Sequence, residues 1–210
     1  LLLISILLSI PAVQTKLGNY ATNKLNEEYN TNILIDKIDL SLLGSVKLKG
    51  IEIRDHHQDT LIFVKKLSTS ILSAKNVLEA EINLGSVTLD GVHYYTKTYK
   101  GEANDNSSIF YNSFDDGAPK DSLASPFILR SSNVYINDLN YRLINANNKD
   151  SLNFSAKKIG GSLQDLLVFG SDFYVKAKGL YFFDNKGLEV TDLTTEFSLT
   201  DNAMRFKNTT

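Results

Sequence analysis

Residues 54–60 read Arg-Asp-His-His-Gln-Asp-Thr, and they concentrate groups able to do chemistry. Asp55, His56, His57 and Asp59 fall within five positions, and His56 and His57 are two of the three histidines in the 210-residue chain. Imidazoles and carboxylates so close together could hold a divalent metal ion or exchange protons. Metal binding, however, needs ligands converging from more than one turn and outer partners to orient them, and catalysis needs a nucleophile, base and orienting group in mutual reach. The alternative is a polar turn between two strands.

The flanking residues favour the turn. Ile51–Ile53 and Leu61–Val64 are apolar runs with β-branched character, and six polar residues between them make a surface hairpin connection. In the repeat register described below, His93, the remaining histidine, points opposite to Val92 and Tyr94. Asp59 is expected to accept hydrogen bonds from the turn backbone. The chain shows no nucleophile elbow, phosphate-binding glycine loop or His-Glu-x-x-His pattern, so no enzyme and no cofactor is expected.

The elements around this turn come from a repeat. Ser45–Ile53 (SVKLKGIEI) and Ser86–Tyr94 (SVTLDGVHY) match at a shift of 86 − 45 = 41 residues. A looser copy contains Val134, Ile136 and Leu139, at 134 − 87 = 47, and a weaker echo starts at Gly187. Such periods mark a stacked supersecondary unit. Within each copy Val46 and Leu48, then Ile51 and Ile53, belong on one face only if an extra residue at Lys49-Gly50 resets the alternation. A glycine-containing bulge does this, and Val87, Leu89, Asp90-Gly91, Val92 and Tyr94 repeat the device. Bulges in every repeat predict a curled sheet. Leu61, Phe63, Leu67 and Ile71 are assigned to one face of a returning strand, and Ala80–Gly85 (AEINLG) is read as another.

Composition and the remaining segments complete the expectation. Hydrophobic residues make up 42%, charged residues 22%, the net charge is −2, and there is no cysteine. Disulfides and thiolate zinc sites are excluded, and with no basic stripe no nucleic-acid partner is expected. The chain opens on thirteen uncharged residues, LLLISILLSIPAV. A span needs about 20 apolar residues, so residues 1–13 are read as the exit half of a transmembrane anchor, carried by Leu1, Leu2, Leu3, Ile4, Leu7, Leu8 and Ile10. Residues 14–31 follow as an amphipathic helix with Val13, Leu17, Tyr20, Ala21 and Leu25 as its stripe, fit to lie on a bilayer or plug the end of a sheet. Residues 32–100 form β repeats. Residues 101–126 are a polar loop with a short helix capped by Asp105 or Asn106 and carrying Ile109, Phe110 and Phe114. Residues 127–210 carry further repeats that are expected to continue beyond Thr210. KNVLEAE around Val77 is read as a helical turn. The fold class is mainly β: a membrane helix and an amphipathic helix, then a curled, elongated antiparallel groove of roughly a dozen strands, on the order of 55–60 Å long at about 4.8 Å per strand.

The anchor, PAVQTKLGNYATNKLN, IDKIDLSLLGSVKLKGIEIRDHHQDTLI and VTLDGVHYYTKTYKGE together resemble the TamB-type members of the AsmA-like, repeating β-groove proteins, in wording similar to those of Bacteroidota. The resemblance covers residues 1–114 well and the rest by repeat style. It implies a translocation and assembly module: a protein held in the inner membrane by a single pass, with a periplasmic groove that carries phospholipid toward the outer membrane. It also implies a role in outer-membrane protein assembly with a barrel partner, reached through a C-terminal domain absent here. The lining would be Val46, Leu48, Ile51, Ile53, Leu61, Phe63, Val87, Leu89, Val92, Tyr94, Val134 and Ile136. The rival readings are a closed β-sandwich core for the same residues, a scaffold that pairs with unfolded barrel strands without moving lipid, and a repeat-type adhesin or structural β protein.

Overall fold

The computed structural model describes residues 11–41, 44–70, 81–113, 128–148, 154–170, 172–200 and 203–210. The anchor residues Leu1 to Ile10, Ile71, the turn proposed around Val77, and Phe114 lie outside them. No helix among the described residues is long and apolar enough to cross a membrane.

The first helix, α1, runs Pro11–Tyr29 and so includes three residues assigned above to the anchor. Proline suits a first helical position, where its missing N–H would have no partner, and Asn30 ends the helix in the left-handed region at φ 50. Ten strands follow: β1 (Asn32–Leu40), β2 (Ser45–Arg54), β3 (Thr60–Ser70), β4 (Glu81–Leu84), β5 (Val87–Thr98), β6 (Ile128–Asn145), β7 (Phe154–Phe169), β8 (Asp172–Asp184), β9 (Glu189–Thr200) and β10 (Ala203–Lys207). A short helix, α2, spans Asn106–Asn112 between β5 and β6. All ten strands lie in one sheet, ordered β1-β2-β3-β5-β6-β7-β8-β9-β10, with β4 beside β6. The sheet is open, so the described residues do not form a sandwich. Its eight steps at about 4.8 Å give about 38 Å, shorter than expected, because several strands are longer than the repeat predicted.

The sheet is not wholly antiparallel. β5 and β6 run parallel from Val87↔Val134 to Thr98↔Asn145. The offset is 47, the same as the sequence repeat, so the two copies lie side by side. Parallel neighbours need a crossover of a dozen or more residues, and the polar segment after β5 supplies it. β4 pairs β6 at that offset too, Glu81↔Ile128 to Leu84↔Ser131, and is therefore collinear with β5 instead of returning against it.

The face reset occurs, but not as a bulge in β2 or β5. Gly50 and Gly91 are left-handed, at φ 60 and 63. Yet the register runs through both without slipping: Lys49↔Lys66 and Ile51↔Val64, then Lys66↔Asp90 and Val64↔Val92. β1, β2, β3, β5 and β6 therefore change face at the same level, β1 at Asp36-Lys37. Asp138 in β6 and Gly179 in β8 are left-handed as well, at φ 59 and 62. Register shifts do occur between β6 and β7, β7 and β8, and β8 and β9. β8 is the next true copy, as Val175–Phe182 (VKAKGLYF) matches Val46–Ile53 (VKLKGIEI) in type at every position but one, where Tyr181 stands for Glu52. The echo at Gly187 is instead the start of β9, which runs antiparallel to the repeat strands.

The glycines of this level are not equivalent. At Gly179 a Cβ would meet nothing within 4 Å, so Gly179→Ala carries only the left-handed penalty of about 1–2 kcal/mol. At Gly50 a Cβ would strike the Asp36 carboxylate, and at Gly161 (φ 132) it would lie 2.6 Å from the backbone oxygen of Gly179. A side chain can swing away and a strand carbonyl cannot. We expect the stability lost to rise from Gly179→Ala to Gly50→Ala to Gly161→Ala, as measured by urea unfolding.

Candidate functional site

The reset gathers the apolar residues on one face. Cross-strand rows run Ile35–Ile51–Val64–Val92–Leu139 and Ile38–Leu48–Leu67–Leu89–Ile136. Ile53, Ile62, Tyr94 and Tyr141 form a third. Two clusters result, one centred on Ile51, Val64 and Val92, the other on Val87, Val134 and Ile136. Every buried hydrophobic side chain among the described residues except Leu61 belongs to this face. It continues to the far edge as Val168–Phe173–Leu199–Met204 and Val175–Phe197–Phe206, where Leu199, Met204 and Phe206 are 39%, 60% and 61% exposed.

Two predicted lining residues are elsewhere. Phe63 pairs with Glu52 and His93 on the opposite face, where its ring lies 6.2 Å from that of His93. Leu61 is fully buried in the register slip between Ile53↔Ile62 and Arg54↔Thr60, outside both clusters. The error has one cause: β3 also changes face, at Lys65-Lys66, with no glycine to announce it.

At one end α2 stands over the apolar face. Its Tyr111 hydroxyl is 3.3 Å from that of Tyr94, and Ser107 bonds Thr96 at 3.0 Å. Asp105 is its cap, accepting from Ser108 N–H. Asn106 ties the helix to the sheet and the turn. It is 1% exposed and donates to Asp55 (2.8 Å) and to the Tyr95 carbonyl, while accepting from Lys97 N–H.

Here the histidine turn joins the crossover. Asp55, not Asp59, organises it: its Oδ1 accepts the N–H of His57 at 2.9 Å and of Asp59 at 3.0 Å. The Tyr99 hydroxyl sits 2.7 Å from both Asp55 Oδ2 and Asp59 Oδ2, and its single proton serves one at a time. Burial and these two carboxylates hold the Tyr99 phenol well above its ordinary range. Bonds from Tyr99 and Lys97 hold the Asp59 carboxyl below its own. Tyr99 is thus kept as a hydroxyl donor and Asp59 as a carboxylate acceptor, and their bonds latch the turn to the crossover. Beside it is a cleft of about 190 Å³ lined by Asp55, Asp59, Lys97, Tyr99 and Asn106. That is room for a few waters, not for an acyl chain.

Beyond the latch, His56 Nε2 and His57 Nε2 lie 2.9 and 2.6 Å from the two oxygens of Glu102. This carboxylate comes from outside the turn and escaped the sequence reading, since nothing links positions 57 and 102 except the fold. Its bond to His57 above all holds the Glu102 carboxyl below the ordinary glutamate range.

The remaining predicted element, α1, lies along β1. Gln14 exchanges two bonds with the backbone of Leu40 (2.7 and 2.8 Å), and Asn26 does the same with Ile33 (2.9 and 2.8 Å). Gly18 leaves no space above Ile38, and Tyr20, assigned to the apolar stripe, is 72% exposed. No protein-family model matches the chain, and no curated protein matches it.

Asp55→Ala would strip four donors of a buried acceptor. Each stranded donor costs about 1–3 kcal/mol, so we expect a loss of at least about 3 kcal/mol in urea unfolding. Replacing His56 and His57 together with Ser should stay within about 0.5 kcal/mol. On the acid side the lowered Asp59 group contributes stability present above the ordinary Asp value near 4 and lost as pH falls through its depressed folded value. Asp59→Asn should flatten the fall in stability below about pH 4 while leaving the neutral range parallel to wild type.

Proposed function

We propose that the protein shields lipid acyl chains on the apolar face of its open sheet and so carries phospholipid between membranes. In this reading the sheet curls into a groove. The chain is held in the inner membrane by the apolar segment Leu1 to Ile10, and the β part stands in the periplasm. The observation that supports it is the continuity of one apolar face from Ile35 to Phe206 in an open sheet. A folded monomer seldom keeps such a face wet. Acyl chains leaving a bilayer cost about 25 cal/mol per Å² of surface exposed to water, and a row of Val, Leu and Ile side chains offsets that without fixing the lipid at one position. Many similar contacts give shallow wells, which suits sliding. The role needs no cofactor and no catalytic group. Joint action with an outer-membrane barrel partner in protein assembly belongs to the same proposal.

The unpaired side of β10 favours a second reading. Among the described residues nothing pairs with it, and an unpaired edge is a template for strand addition. A scaffold for unfolded barrel strands would use that edge and leave the apolar face empty.

Photo-crosslinking groups at Leu48, Ile53, Leu89 and Leu199 should capture phospholipid, and groups at Lys47 and Lys49 should not. Leu199→Asp, at a half-open position, should lower lipid transfer between vesicles several-fold while leaving the unfolding midpoint nearly unchanged. Equal capture on both faces sinks the lipid reading, and capture of peptide at β10 with no lipid on the apolar face turns it into the scaffold reading.

A further inference from the structure

The latch and its neighbours carry an inference independent of the lipid reading. We propose that His56, His57 and Glu102 form a binding site for one divalent transition-metal ion, zinc being the best fit. Their ligand atoms all lie within 4.8 Å of one another. Two imidazole nitrogens and a carboxylate make a donor set suited to Zn²⁺, with a fourth position left for water. The two rings set their Nε2 atoms against the two oxygens of the one carboxylate. A metal inserted among them replaces those bonds, and the three ligand atoms shift to distances of about 2.0–2.2 Å from it.

What separates this cluster from a chance meeting of surface side chains is that both backbones are fixed. On one side, buried Asp55 binds the N–H groups of His57 and Asp59, and is itself held by Asn106. On the other, Asn147 accepts from Gly101 N–H at 2.7 Å and donates to the Glu102 carbonyl at 2.7 Å. The His57 ring packs on Tyr99 at 3.8 Å between centroids, and His56 meets both rings edge-on. Only the outer torsions remain free, and the side chains are 30–45% exposed, so an ion has access from solvent. An ion there ties the β2–β3 turn to the segment that leads into α2.

Titration of the whole chain with Zn²⁺ alone, followed by calorimetry at about pH 7.5, tests this. The expected result is one ion per chain at micromolar affinity, with Co²⁺ giving the intense visible bands of a four-coordinate site. His57→Ala and Glu102→Gln should each weaken binding by roughly 30-fold or more, within the range that loss of a ligand or its support costs, and His93→Ala, on the outer face of β5, should not. Zinc should also raise the thermal midpoint of the wild type and not of Glu102→Gln. Absence of binding at about 1 mM zinc overturns the proposal, and so does an affinity that His57→Ala and Glu102→Gln leave unchanged. Neither result touches the crosslinking test of the apolar face.

Discussion

A single sheet can keep a continuous apolar face only if all its strands agree on which side each residue takes. Alternation alone would put Leu48 and Ile51 on opposite sides, since they are three positions apart. The protein resolves this by changing face at one level across β1, β2, β3, β5 and β6, so that Leu48, Leu67, Leu89 and Ile136 line up beside Ile51, Val64, Val92 and Leu139. The strands that run one way make the change with a left-handed residue: Gly50, Gly91, Asp138 and Gly179. β1 and β3 follow by pairing and lay Asp36 and Lys65 across Gly50 and Gly91. A reset in one strand alone would break the ladder or turn its apolar residues to water. The level is therefore collective, and it is the reason the clusters exist.

The two edges of the sheet are treated differently. β1 would present a row of unmet N–H and C=O groups, and α1 covers it with a stripe at every fourth position: Gln14, Gly18, Thr22 and Asn26. The amides at the two ends imitate a paired strand, the glycine permits close approach, and Thr22 turns its hydroxyl back to the Gly18 carbonyl. This is edge protection by a helix. At the other side β10 is short, and the apolar face is most exposed there. The gradient in exposure from Ile51 to Phe206 runs toward the less protected edge.

Much of the apolar face was legible in sequence because the repeat states it openly. Val46, Leu48, Ile51 and Ile53 reappear as Val87, Leu89, Val92 and Tyr94, and glycine marks the change of face. Where the marker is absent the reading fails: β3 carries Lys65-Lys66 at that level, and Phe63 was placed on the wrong side. β8 was missed for a subtler reason, since Ala177 stands where Leu48 does and weakens the apolar signal. The contact stripe of α1 was invisible to hydrophobic periodicity because it meets an edge, and an edge is satisfied by amides. The parallel pairing of β5 and β6 left its offset in the repeat, but an offset alone carries no direction of pairing.

The polar end is where local and distant information combine. A turn with Asp at its first position can satisfy its own backbone, and Asp55 does so with one oxygen. Its other oxygen is left facing inward, and at 4% exposure it would be costly without partners. Tyr99 and Asn106 meet that need from the crossover, more than forty positions away in sequence. The same bonds set the distance between the turn and the segment carrying Glu102, and they aim the start of α2 at Thr96 and its far end at Tyr94 on the apolar face. One buried carboxylate thus fixes both the spacing of the two histidines from their glutamate and the placement of the helix that closes one end of the apolar surface. Within the latch the Tyr99 phenol is held above its ordinary range and the Asp59 carboxyl below its own, so a hydroxyl donor keeps facing a carboxylate acceptor where the turn meets the crossover.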